Sequence, residues 1–177
     1  MPYPPEIQER LKRVLFDHPD WIALDGGQTT EAQVVNRIAN TTSLTAIHAE
    51  AALAATKRSF VELPQTVGLM QEMHANGVPL YCLSNMSIES FEALQHRAFF
   101  QLFEGTVISG IEKVMKPSTA IFELLLNRYQ LDARTSIFVD DMPENVAGAE
   151  LLGITGVVFS GHDADYRRIR ELVLRDE

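Results

Sequence analysis

Cysteine and basic residues are scarce in this chain, and it has no long apolar run. Cys82 is the one cysteine among 177 residues, which excludes an internal disulfide, and its apolar surroundings predict a buried, inert thiol. No stretch approaches the ~20 apolar residues that cross a bilayer, and residues 1–5 lack the basic and apolar parts of a signal peptide. These features predict a cytoplasmic protein that has no membrane partner.

The charge balance excludes further classes of partner. Lysine and arginine together number 15 against 24 acidic residues, which gives a formal charge of −9 and a pI near 5.0. An acidic surface without a basic stripe does not attract nucleic acid or an anionic membrane. With 46% hydrophobic residues, the chain is predicted to form one folded domain, or a domain with a small insertion.

The pattern of apolar residues changes near Pro64. Apolar residues before it recur at helical spacing, and strands alternate with helices after it. This predicts a helical segment over residues 1–62 and an α/β core over 63–177, with a parallel sheet covered on both faces. The predicted helices cover 5–18, 30–40, 44–60 (capped by Ser43), 64–76, 87–97, 118–129, 143–152 and 162–174, and the predicted strands cover 78–83, 105–109, 137–141 and 154–159.

The most informative segment is an apolar strand that ends in two adjacent acids. Ile137, Phe138 and Val139 form a run typical of a strand buried on both faces, and Asp140 and Asp141 follow directly. Ligands bind at the carboxyl ends of strands in open α/β sheets, and paired carboxylates repel unless a cation or a proton neutralises them. Mg²⁺ fits this pair, although a solvated turn that caps the next helix is the simpler interpretation of the pair alone.

Two other strand ends carry residues that suit a phosphate group. Ser84 and Asn85 follow an apolar strand and precede a helix, where hydroxyl and backbone N–H groups can hold an anion, although both could merely cap that helix. Lys116 is held outside the next helix by Pro117, from where it can reach a phosphate or a carboxylate. A solvated surface lysine is the alternative interpretation.

Taken in order, these segments resemble the second, third and fourth motifs of the haloacid dehalogenase-like hydrolase superfamily. The motif residues are Leu83-Ser84-Asn85, then Lys116-Pro117, then Phe138-Val139-Asp140-Asp141 with Asn145. The resemblance covers nearly the whole chain and implies a doubly wound, three-layer α/β fold. The segment before Pro64 resembles the small helical cap of the subgroup whose cap follows the first motif.

The resemblance also implies roles for the motif residues. Ser84 and Asn85 would bind phosphate, Lys116 would stabilise the phosphate and the nucleophile, and Asp140 and Asp141 would hold Mg²⁺, with Asp141 as the direct ligand. The implied reaction is Mg²⁺-dependent hydrolysis of a small phosphorylated metabolite through an aspartyl-phosphate intermediate. A metal site of paired acids favours a phosphatase over a dehalogenase, because a halide leaving group needs no metal.

The chain departs from the family at the first motif, a strand that ends in the aspartate nucleophile. No such strand precedes the cap-like segment. Three explanations stay open: the sequence is a shortened form, it is a degenerate member that binds without catalysis, or Asp25 at the end of Trp21–Asp25 replaces the nucleophile. A receiver-like phosphoacceptor domain is a further alternative that the order of the motifs disfavours. A missing central strand would leave a gap in the sheet, and pairing with another chain to form an oligomer would fill it.

Overall fold

The structure is a computed structural model that describes residues 3–174. Its helices are α1 (Pro5–Leu11), α2 (Pro19–Asp25), α3 (Glu31–Thr41), α4 (Ala46–Ser59), α5 (Pro64–Ala75), α6 (Ile88–Leu94), α7 (Ser109–Glu112), α8 (Thr119–Tyr129), α9 (Pro143–Glu150) and α10 (Asp163–Val173). Its strands are β1 (Leu80–Ser84), β2 (Phe103–Ile108), β3 (Ile137–Asp140) and β4 (Thr155–Val158). A π-helical turn, Lys12–Phe16, continues α1, and short 3₁₀ turns lie at Ala98–Leu102 and Ala133–Thr135.

The described residues fall into two compact units. The helical unit comprises the chain up to Val61 together with Asn85–His96 and Ile108–Lys113, and the sheet unit comprises Glu62–Ser84, Arg97–Val107 and the chain from Val114 onward. The division of the chain into a cap domain and a core domain between residues 62 and 63 stays a prediction. None of the helices within residues 3–174 combines the length and apolar character that a membrane span requires.

The helical unit is built on local capping and an apolar core. Thr30 begins α3 through a capping box with Gln33, as the residue types predict. The alanine-rich stretch of α4 is a packing face, since Ala49 and Ala52 are buried in the core. The predicted cap at Ser43 is wrong: Thr45 precedes the first turn of α4 and forms a capping box with His48.

Two apolar clusters pack against the strands of the sheet unit. The Phe122 cluster contains Val107, Ile121, Phe122, Leu125, Ala149 and Ile154, with Tyr81, Leu83 and Phe138 packed against it. The Met73 cluster contains Leu69, Met73, Val157, Tyr166 and Ile169, with Leu80 and Ile137 packed against it. Neighbouring residues of β1 and of β3 therefore enter different clusters, as the alternation of side chains in a strand requires.

The four strands pair in two separate sheets of two. β1 pairs with β2, and β3 pairs with β4 in parallel from Ile137 opposite Thr155 to Asp140 opposite Val158. The prediction that β3 is buried on both faces is wrong, because Val139 is 39% exposed. The physical reason is that, among residues 3–174, β3 has a strand partner on one side only, so solvent reaches the other side.

Gly148 allows α9 to pack against the segment that carries Lys116. A Cβ atom built at Gly148 would lie 2.4 Å from the main-chain oxygen of Pro117 and 3.2 Å from the Phe122 ring. Backbone atoms cannot yield as a flexible side chain does, so any larger residue must push this segment away from α9.

We expect Gly148→Ala to lower the free energy of unfolding by about 1–3 kcal/mol, because the clash outweighs the higher helix propensity of alanine. Gly68→Ala in α5 is the matched control, since no atom lies within 4 Å of its added Cβ, and it should stabilise by roughly 0.5–1 kcal/mol. Urea unfolding monitored by circular dichroism measures both. Equal effects of the two substitutions would contradict the predicted clash.

Candidate active site

The centre of the site is a buried ion pair between Lys116 and Asp140. Lys116 Nζ lies 2.6 Å from Asp140 Oδ2, and both side chains are 8% exposed. The same ammonium donates to the main-chain oxygen of Leu83 at 2.9 Å and lies 5.3 Å from the centre of the Phe138 ring. The lysine therefore joins the carboxyl end of β1 to that of β3, and it is not the solvated surface charge of the alternative interpretation.

The carboxylate of Asp140 is held by three donors. Besides Lys116 on Oδ2, the backbone N–H of Met142 donates to Oδ1 at 2.8 Å and Asn145 Nδ2 donates to Oδ1 at 3.0 Å. Burial alone would raise the pKa of Asp140, but the hydrogen bonds from Lys116, Asn145 and Met142 outweigh it and hold the pKa below its ordinary value. Asp140 is thus an ionised partner of the lysine that also fixes the turn into α9.

Asp141 has the opposite environment. It lies just beyond β3, its side chain is exposed, and within residues 3–174 its carboxylate takes part in no hydrogen bond or ion pair. The two adjacent acids therefore differ in what they can do: Asp140 is engaged by protein donors, whereas both oxygens of Asp141 are open to a ligand.

The fit of the site to Mg²⁺ rests on this difference. No three His, Cys, Asp or Glu side chains form a metal-holding group in the part of the chain that the structure describes. Mg²⁺ commonly keeps several waters and binds proteins through one or two carboxylates plus a substrate phosphate. Asp141 suits such a site as a direct ligand, and Asp140 suits it as the neighbouring charge.

The predicted phosphate-binding residues lie at the end of β1. Ser84 is the last residue of that strand, directly after Leu83, whose carbonyl accepts the bond from Lys116. Asn85 begins the loop that leads to α6, and Ser87, which the sequence analysis assigned to that helix, caps it by accepting from the Ser90 N–H at 3.1 Å. The structure therefore brings Ser84, Lys116 and Asp140 to one end of the strands in the sheet unit.

Sequence reasoning did not assign a role to Asn145. Its side chain is buried, 8% exposed, and it donates to Asp140 from the first turn of α9. The signal was present, since a polar residue in the first helical turn after the acids can reach back toward them. Cys82 is only partly buried, whereas the sequence predicted a buried thiol. Its surroundings nevertheless raise its pKa to about 11 against the opposing effect of Lys116, so the thiol is protonated at neutral pH.

Asp25 lies in the helical unit and ends α2. The alternative that places Trp21–Asp25 in a strand is wrong, because Pro19 starts a helix there that His18 caps. Burial raises the pKa of Asp25 to about 6, and a hydrogen bond from the backbone N–H of Ser87 acts in the opposite direction. The main-chain oxygen of Asp25 also accepts a hydrogen bond from the buried hydroxyl of Ser109.

We expect Asp140→Asn to lower the free energy of unfolding at pH 7 by roughly 3 kcal/mol, because it leaves the buried Lys116 ammonium without its counter-charge. The pKa of Asp140 is lowered in the folded protein, so its stabilisation is present above the unfolded pKa near 4 and is lost as the pH falls further. The deficit should therefore shrink below about pH 4. The exposed neighbour supplies the control: Asp141→Asn should change stability by less than about 0.5 kcal/mol.

The pH dependence of stability has the opposite sign for Asp25, because its raised pKa means that the folded state favours the neutral acid. Asp25→Asn should raise the free energy of unfolding at pH 8 by roughly 1–2 kcal/mol and have no such effect at pH 4, where the acid is already protonated. Urea unfolding at both pH values measures this, with the exposed Asp17→Asn as control. The same gain at both pH values would contradict the assigned cause.

Comparison with known proteins places these features in a family. The family model of haloacid dehalogenase-like hydrolases matches residues 3–153. The chain is 31% identical over 106 residues to the sesquiterpene phosphatase astK of Aspergillus oryzae. This match covers 59% of this chain and 54% of the phosphatase. The chain is also 32% identical over 103 residues to the drimenol cyclase drtB of Aspergillus calidoustus, a match that covers 57% of this chain and 20% of the cyclase. The chain thus spans about half the length of the phosphatase and a fifth of the cyclase.

Among solved structures, the fold is similar to that of a HAD family enzyme from Bacteroides thetaiotaomicron. That enzyme was crystallised as an aspartate-to-alanine variant with magnesium and inorganic phosphate. The TM-score is 0.70 at 21% identity, and the match covers 89% of this chain and 87% of that one. This likeness confirms the predicted α/β fold class. The chain belongs to the haloacid dehalogenase-like hydrolase family.

Proposed function

We propose that this site serves a Mg²⁺-dependent phosphatase that acts on a small phosphorylated metabolite. The observation that carries the proposal is the position of Lys116, whose buried ammonium joins the ends of β1 and β3 beside Ser84 and Asp140. A fixed cation in a poorly solvated place stabilises the charge of a transferring phosphoryl group far more than a mobile surface lysine does. The sesquiterpene phosphatase relative supports phosphate-ester hydrolysis as the reaction class.

Each residue of the candidate site has its own role in the proposed reaction. Lys116 neutralises phosphoryl oxygens, the Ser84 hydroxyl and the adjoining backbone with Asn85 orient them, and Asp140 holds the ammonium in position. Asp141 would hold Mg²⁺, and the metal, when bound, supplies charge neutralisation on the phosphoryl oxygens. Magnesium and phosphate in the crystallised HAD family enzyme support this choice of ligands.

Asp140 does not suit the role of nucleophile, because three donors hold its carboxylate. Asp25 is a weak candidate, since it ends helix α2 of the helical unit and not a strand. The aspartyl-phosphate step is therefore assigned to neither residue. A HAD-like protein that binds phosphate without hydrolysing it is the alternative.

Binding of Mg²⁺ and inorganic phosphate to the chain tests the site directly by calorimetry. We expect Asp141→Asn to weaken Mg²⁺ binding in the presence of phosphate at least ~10-fold, because one direct carboxylate ligand is lost. Asp132→Asn is the matched control, since Asp132 precedes β3 whereas Asp141 follows it, and it should leave binding unchanged. Absence of Mg²⁺ affinity in the unsubstituted chain would overturn the metal site and favour a pure interaction module.

Turnover of a generic phosphoester such as p-nitrophenyl phosphate distinguishes catalysis from binding alone. Mg²⁺-dependent turnover that survives Asp25→Asn supports a phosphatase whose nucleophile is another residue. Turnover that Asp25→Asn abolishes would instead identify Asp25 as the nucleophile. Metal and phosphate binding without any turnover would favour the binding protein over the phosphatase.

A further inference from the structure

The loop between β1 and α6 is held through its backbone. It comprises residues 85–87 and belongs to the helical unit. The N–H of Met86, the middle residue, donates to Ser109 Oγ at 3.0 Å, and the carbonyl of Met86 accepts from the Gly110 N–H at 3.1 Å. Both backbone groups of Met86 are therefore engaged by the start of α7, which restricts the orientation of the loop as well as its position.

The end of α2 holds the same loop. The carboxyl group of Asp25 accepts a hydrogen bond from the Ser87 N–H, and the main-chain oxygen of Asp25 accepts one from the Ser109 hydroxyl. Ser109 is fully buried, and its hydroxyl both donates to α2 and accepts from the loop. We call the group formed by Asp25, Ser109 and Gly110 the loop anchor.

Two glycines allow the three segments to approach this closely. A Cβ atom built at Gly110 would lie 2.8 Å from the main-chain oxygen of Met86 and 2.9 Å from the backbone nitrogen of Ile88. Gly27, just beyond α2, has a φ of +64°, and a Cβ atom there would meet the main-chain oxygen of Gly110. The loop, the end of α2 and the start of α7 therefore meet backbone to backbone, which is an observation independent of the hydrogen bonds.

We infer that Ser109 is a positioning residue that orders this loop so that Asn85 is held ready to bind phosphate. The inference rests on the proposed function, because it gives the loop a part in holding the phosphoryl group. The amides of Met86 and Ser87 already have protein acceptors, so recognition of phosphate falls to the beginning of the loop. Polar groups stabilise an oxyanion best when the protein fixes them before the anion binds, and the loop anchor supplies that constraint.

Two hydroxyl deletions in the helical unit give a matched comparison. Ser109→Ala removes the hydroxyl of the loop anchor. Thr42→Val is the control, because the Thr42 hydroxyl also bridges two backbone groups: it accepts from the Leu44 N–H at 3.0 Å and donates to the carbonyl of Ile38 at 2.8 Å. Thr42 follows α3 and is not part of the loop anchor. A general loss of stability should therefore affect both variants, whereas disorder of the loop should affect Ser109→Ala alone.

Amide exchange and ligand binding measure the two parts of the inference on the full chain. Without ligand, Ser109→Ala should speed exchange of the Met86 amide roughly 3- to 10-fold by NMR, the value of one hydrogen bond, and Thr42→Val should not change it. In calorimetry, Ser109→Ala should raise the Kd of inorganic phosphate by roughly the same factor. The Kd of Mg²⁺ alone should stay unchanged, because its proposed ligand Asp141 lies beyond β3 and outside the loop.

A second variant tests the anchor from the end of α2. Asp25→Ala removes the acceptor of the Ser87 N–H, so it should speed exchange of the Ser87 amide and weaken phosphate binding in the same direction as Ser109→Ala. This variant leaves the Ser109 hydroxyl in place, and its result does not depend on how Ser109→Ala folds.

Three results would overturn the inference while the proposed function stands. The first is unchanged exchange of the Met86 amide in Ser109→Ala. The second is faster exchange with an unchanged Kd of phosphate, which would make the anchor a purely structural feature. The third is equal weakening of phosphate binding by Thr42→Val, which would mean a general effect of stability. Failure of the proposed function gives a different result, namely no phosphate binding by the unsubstituted chain, and it would overturn the inference as well.

Discussion

The ion pair between Lys116 and Asp140 is the interaction on which the site depends. Two opposite charges at 2.6 Å, both largely withdrawn from water, are tolerated only because each has further partners. Asp140 accepts hydrogen bonds from Met142 and Asn145 at the start of α9, and Lys116 donates to the main-chain oxygen of Leu83 near the end of β1. Four separate segments of the sheet unit are therefore fixed relative to one ammonium group. Loss of either charge would remove the ion pair that holds these segments close together.

The same pair explains why two adjacent acids have different properties. Asp140 is turned into the protein, where hydrogen bonds more than offset the cost of burial, and its pKa falls. Asp141 is turned toward solvent and has no protein partner within the described residues. In the proposed site, Asp140 pairs with Lys116, and the oxygens of Asp141 are open to the proposed Mg²⁺.

Much of the fold was predictable from the sequence, because local signals decide it. Proline at Pro64 and Gly77 just beyond the helix bracket α5, and the acidic pair marks the end of β3. The position of Lys116 before Pro117 predicted that it can reach a phosphate or a carboxylate, and its ammonium contacts the carboxylate of Asp140. The hydrogen bonds that hold Asp140 were not predictable, because they depend on Asn145 and the Met142 N–H, whose contacts form only in three dimensions. Helix α2 was missed because its 7 residues, about two turns, are too few for helical periodicity to distinguish it from other local structure.

The protonated thiol of Cys82 has a practical consequence. Alkylating reagents attack thiolates, and both the raised pKa and the position within β1 slow that attack in the folded state. Separation of this strand from its surroundings should therefore increase the rate of alkylation. Since the sequence has one cysteine, alkylation of Cys82 is a probe of local opening beside the candidate active site that requires no engineered residue.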